Sequence, residues 1–377
     1  MMNEHEIRVA IAHHSATPGI SVSEYVQGLA KALCDSIVGR HKLYLDTRYW
    51  IHLRDAAMGR ARHDSHGEIL AHIRSLVSNG TAICPVSDVT WMELSKQTDC
   101  ETRLASADLL DELSLGVAIM SERDRIVAEI EHFLAHPHIA EPTPVLKDRI
   151  WIKSGYVLGV TVPIARELPA EINAAMQKTS IDLIWRITHR EMADKADSLP
   201  PIDDRYEENA ARITAAMRRY AHEIRSIQQA FAAESAGVID LFKDEIHAML
   251  LRLFRRSAGN DATVSIDQAE EAAQTTLRGL ANGLRLRPKV MAQRLPTVYA
   301  YAMCHAAVRM DRTRKFNGHD LLDIHHASSG IPYHDAVFTE NPLRVLVTAG
   351  NVALDKVFSC AVLAKENEVL GYLRRLL

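Results

Sequence analysis

Val22, Tyr25, Val26, Leu29, Leu33 and Ile37 recur at helical spacing, which predicts an amphipathic helix over 21–39. The period changes at Lys42-Leu43-Tyr44-Leu45-Asp46, a continuous apolar run closed by a carboxylate, and a buried strand is expected there. Ile69, Leu70, Ile73, Leu76 and Val77 return to the helical period over 66–78, and Gly80 sits where a helix is commonly closed by glycine. Thr81–Ser87 reads as a second short strand, and Asp88 is placed to cap the helix that carries Trp91, Glu93 and Leu94. Gly116–Met120 is a third strand candidate. Strands alternating with amphipathic helices predict a parallel sheet with helices on its faces.

From residue 121 to 310 the pattern becomes helical, rich in Ala, Arg, Glu and Leu and broken by prolines such as Pro169 and Pro288. Residues 203–234 read as one long helix and 236–256 as another. The mixed pattern returns near the C-terminus: helix 321–329, strand 336–339, a helix around 342–349, strand 358–363 and a final helix 366–377. The expected architecture is an α/β core made of residues 1–120 and 311–377, interrupted by a large all-helical insertion, 121–310.

The chain has 377 residues, 47% of them hydrophobic, enough for at least one large core. Its net charge of −4 excludes a polycation, so nucleic-acid binding has to rest on local basic patches. Five scattered cysteines without CxxC spacing fit a reducing compartment and argue against a cysteine-built zinc site. No apolar run approaches the roughly 20 residues of a membrane helix. The first residues, Met1-Met-Asn-Glu-His-Glu, lack the basic and apolar regions of a secretory signal. A cytoplasmic protein without membrane partners is expected.

Five carboxylates stand out. Asp46 ends the first strand, Glu93 lies in Val89-Thr-Trp-Met-Glu93-Leu, and Asp323 lies in Asp320-Leu-Leu-Asp323, where Asp320 reads as N-cap and Asp323 as N3. Asp335 precedes strand 336–339 and Glu340 ends it. Open parallel sheets bind ligands beyond the carboxyl ends of their strands. Carboxylates gathered there repel one another unless a hard cation such as Mg²⁺ or Mn²⁺ joins them. Such an ion activates water and neutralises phosphate charge. Arg309, Arg312, Arg314 and Lys315 come just before Asp320 and are candidates for holding a nucleic-acid backbone. His325, His326 and His334 read as packing or phosphate contacts rather than metal ligands.

Leu45-Asp46-Thr47, the Glu93 helix, Asp323 and Pro332-Tyr-His-Asp335-Ala-Val-Phe-Thr-Glu340 resemble, in that order, the acidic motifs of PIN-domain nucleases. The resemblance covers about 40–120 and 315–377. It implies a PIN-like parallel-sheet core with helices on both faces and a Mg²⁺- or Mn²⁺-dependent endoribonuclease that cleaves single-stranded RNA. Asp46, Glu93, Asp323 and Asp335 would be catalytic and metal-binding, with the fourth ligand open between Asp335 and Glu340. The chain departs from the family in its long insertion and in Thr339-Glu340-Asn341, where small members carry Thr-x-Asp. Two rivals stand beside this reading: a non-catalytic PIN-like module whose insertion binds a protein partner, and a helical scaffold whose acidic residues are caps.

Overall fold

The structure, a computed structural model, describes residues 3–136, 146–159, 162, 165, 167–198, 205–220, 222–258, 266–311 and 316–377. It is mostly helical, with short parallel strands. The chain divides into two compact units. The first holds Met1–Ser121, Lys147–Pro201 and Lys365–Leu377; the second holds Glu122–Leu146 and Ile202–Ala364. The compositional segment 121–310 is thus shared between the units. It is also not all helical, because it contains the strand Trp151–Lys153.

In the first unit, capping chemistry sets the helix starts. Helices Glu4–Ser15 and Val22–Ile37 both open with capping boxes, Asn3 with Glu6 and Ser21 with Glu24. The chain then enters β1, His41–Leu45, whose Leu43, Tyr44 and Leu45 are buried. Helices Thr47–Ala57 and Asp64–Ser78 follow, and β2, Ala82–Ile83, returns parallel to β1, with His41 opposite Ala82 and Lys42 opposite Ile83. A parallel return needs a crossover, and these two helices supply it. Gly80, at φ +82°, makes the turn after the second helix, as its position suggested.

Ile69, Ile73, Leu76 and Ile83 have no exposed surface, and Trp50 has almost none. Each such side chain contributes roughly 1.5–3 kcal/mol through burial. β3, Val117–Ile119, pairs antiparallel with β4, Trp151–Lys153. The expected strand 81–87 is only two residues long, plus an isolated bridge from Val86 to Ala118. Pro85 has no N–H to continue the ladder, and Ser87, not Asp88, caps the next helix, Asp88–Ser95, accepting from Thr90 N.

In the second unit, helix Pro296–Met310 packs against Ile227–Leu241 and against Gly318–Gly330, and Phe231 and Tyr299 meet at 5.0 Å between rings. The single helix expected over 203–234 is two, Tyr206–Arg219 and Ile227–Leu241, because Ser226 takes Gln229 N and restarts the helix. The helix expected at 236–256 runs Lys243–Ala258. β5, Ala336–Phe338, and β6, Ala361–Leu363, form a parallel pair in register from Ala336–Ala361 to Phe338–Leu363. Helices Asn341–Thr348 and Leu354–Phe358 make that crossover. Phe358 therefore ends a helix rather than opening a strand, and Ser359, at φ 56°, turns the chain into β6. Among the described residues no helix is long and apolar enough to cross a membrane.

Candidate functional site

The first unit carries two of the expected carboxylates. β1 ends at Leu45, and Asp46 is 5% exposed with extended backbone angles. Its Oδ1 accepts Tyr49 N at 3.1 Å, which makes Asp46 the N-cap of Thr47–Ala57. The helix dipole favours a negative charge at this end. The next residue, Thr47, donates its hydroxyl to Glu93 Oε2 on helix Asp88–Ser95. Tyr44 and Ser87 hydroxyls lie 2.9 Å apart, so β1 is tied to the residue that caps the Glu93 helix. Two hydrogen bonds thus bring the Asp46 and Glu93 segments together where β1 ends. Burial pushes the Tyr44 and Tyr49 phenols well up, and the charge of Asp46 adds to both shifts.

The second unit carries the others. Asn317, not Asp320, caps helix Gly318–Gly330; it accepts from His319 N and Asp320 N. Asp320 is therefore N3, and its Oδ2 accepts Asn317 N at 2.9 Å to complete a capping box. Asp323 moves from the expected N3 position to the second turn and is half-buried.

Asp335 is exposed at the amino end of β5, and its carbonyl takes Ala361 N at 3.0 Å. Glu340 is exposed beyond the carboxyl end of β5, at the start of Asn341–Thr348, where its side chain makes no capping bond. A strand rises about 3.3 Å per residue, so the two lie on the order of 15 Å apart and do not serve one ion together. The carboxyl-end rule favours Glu340. Beside it Thr339 is 1% exposed, and its hydroxyl has no hydrogen-bond partner among the described residues.

Arg309 is half-buried against Glu234, Nη1 to Oε1 at 2.5 Å, so its charge is already compensated within the second unit. Arg312, Arg314 and Lys315 lie outside the described residues. His325 faces a carboxylate, with Nδ1 3.0 Å from Glu122 Oε2. His326 and His334 are buried, and His334 Nδ1 lies 2.9 Å from Gly330 O.

Among the described residues, no three His, Cys, Asp or Glu side chains are grouped so as to hold a metal ion. One polar feature escaped the periodicity: Glu122, Arg125 and Glu129 are buried on helix Glu122–Ala135. Its legible signal is that these charges share the helix face of Ile126 and Ile130. Comparison with family models, curated proteins and solved structures finds no match to the chain.

Proposed function

We propose that the chain is a PIN-like, metal-dependent nuclease, an endoribonuclease acting on single-stranded RNA. The observation that carries this reading is the junction at the end of β1. There a buried aspartate follows the strand, and its neighbour Thr47 holds Glu93 of a helix distant in sequence. Oxygen ligands of this kind suit Mg²⁺ or Mn²⁺. Asp323 and Glu340 enter the proposal from the order of motifs, and Glu340 is preferred to Asp335 because it follows its strand. The preference for RNA rests on the resemblance alone.

A second reading is a non-catalytic PIN-like module in which Asp46 serves only as a cap. It is favoured by the absence, among the described residues, of a three-ligand group. The two readings separate in one assay: purified protein with labelled single-stranded RNA and DNA, with Mn²⁺, Mg²⁺ or EDTA. The nuclease reading expects RNA to be cut with either ion and spared with EDTA. Protein that cuts neither substrate under any of these conditions supports the second.

A further inference from the structure

Helix Glu122–Ala135 buries three charged side chains where apolar ones would ordinarily pack. Glu122 is 8% exposed, and Arg125 and Glu129 are fully buried. Ile126 and Ile130, also fully buried, share their face. Removing charges from water is costly, and well-packed apolar residues often replace buried ions without loss of stability. A helix that had only to pack would not need them.

Their partners are not scattered. Glu122 Oε2 meets His325 Nδ1 at 3.0 Å and accepts the Ser328 hydroxyl at 3.2 Å. Arg125 Nη2 donates to Ser329 Oγ at 2.8 Å, and Nε donates to Thr297 Oγ1 at 3.4 Å. Glu129 Oε1 accepts Thr297 N at 2.8 Å and also the Tyr333 hydroxyl. One helix face thus grips His325, Ser328, Ser329 and Tyr333 in succession, and is anchored at Thr297 at the start of Pro296–Met310. Burial pushes the Glu122 carboxyl up. His325, Arg125 and the Ser328 hydroxyl outweigh this and hold it below its ordinary value. Charge-assisted hydrogen bonds are directional and fix a register that apolar contact alone leaves free to slide.

We propose that this charged face is a positioning device for the segment 318–336: Glu122, Arg125 and Glu129 hold the helix that carries Asp323 in one register. They are positioning residues. Their purpose rests on the nuclease reading of Asp323, whereas their grip on the segment does not.

The test compares Glu122→Leu, Glu122→Gln and Ser328→Ala with wild type, by peptide-resolved hydrogen exchange and by Mn²⁺ calorimetry on the full chain. In Glu122→Leu the segment 318–336 should exchange about tenfold faster while helix Asp64–Ser78 is unchanged. Glu122→Gln keeps an oxygen for Ser328 but loses the charge, and its rate should fall between wild type and Glu122→Leu. If Glu122→Leu does not fold, Ser328→Ala, which removes no charge, should accelerate the same segment to a smaller degree. Unchanged exchange in 318–336, or a uniform rise across the second unit, overturns the proposal. So does wild-type Mn²⁺ affinity in a variant whose segment has loosened. Absence of Mn²⁺ binding in wild type sinks the nuclease reading instead, and exchange alone then decides the grip.

Discussion

Asp46 in the first unit and Glu122–Arg125–Glu129 in the second are buried charges held by opposite means. Asp46 sits at a helix start, where a backbone amide and the helix dipole compensate it. The three charges of the second unit lie along a helix face and are compensated by side chains and one amide from other elements. The capping bond spans three residues and needs only local chain geometry. The second exists only once helices far apart in sequence have packed. Local compensation tolerates substitution, and distributed compensation does not.

The largest effect should follow from breaking the distributed set. Arg125→Ala leaves Glu122 and Glu129 without the cation between them, and the expected cost is about 3–5 kcal/mol in urea unfolding. A cost below about 1 kcal/mol would mean that water reaches these carboxylates and that the burial argument fails.

The pH dependence comes next. Burial raises the Glu129 carboxyl to about 7, against an ordinary value of 4.5. Below pH 4.5 both folded and unfolded states carry the proton. Between 4.5 and 7 the unfolded state releases it first, so stability falls as pH rises through this window. The shift corresponds to about 3 kcal/mol at most. Glu129→Gln should remove this slope. Unfolding measured at pH 5 and pH 8 checks it, and an equal slope in both proteins would assign the titration to another group.

The contrast also explains what was legible in the sequence. Strand β1 was readable because Leu43, Tyr44 and Leu45 are contiguous and apolar, and Asp46 because it closes that run. The Asp64–Ser78 helix was readable from its five-residue stripe. The caps were off by small amounts: Ser87 displaced Asp88, and Asn317 displaced Asp320. Several polar residues compete at each helix start, and the winner depends on backbone angles that the sequence leaves open. The break between Tyr206–Arg219 and Ile227–Leu241 was hidden because the apolar period runs across it. The charged face was hidden for a related reason. Glu122, Arg125 and Glu129 look like solvated helix charges until their partners at 297, 325, 328, 329 and 333 are in place. Of the candidate site, the Asp46–Glu93 junction follows the motif order. That Asp335 and Glu340 lie at opposite ends of β5 follows only once the strand's bounds are known.

Smaller effects sharpen the local side of the comparison. Asp46→Ala removes a cap and should cost about 1 kcal/mol, whereas Asp46→Asn, which caps as well, should cost a few tenths at most. Asp320→Asn retains an oxygen for Asn317 N and should also stay within about 0.5 kcal/mol in thermal unfolding. A loss above about 2 kcal/mol in either asparagine variant would show that the negative charge itself holds that helix start.

The central claim is that Asp46 is kept for chemistry as well as for capping. The direct measurement is cleavage of labelled single-stranded RNA in Mn²⁺ by wild type and Asp46→Asn, with unfolding free energies taken on the same preparations. The account predicts wild-type cleavage, none above background in Asp46→Asn, and stabilities within about 0.5 kcal/mol of each other. Equal cleavage by both proteins would contradict it, as would a wild type that leaves RNA intact.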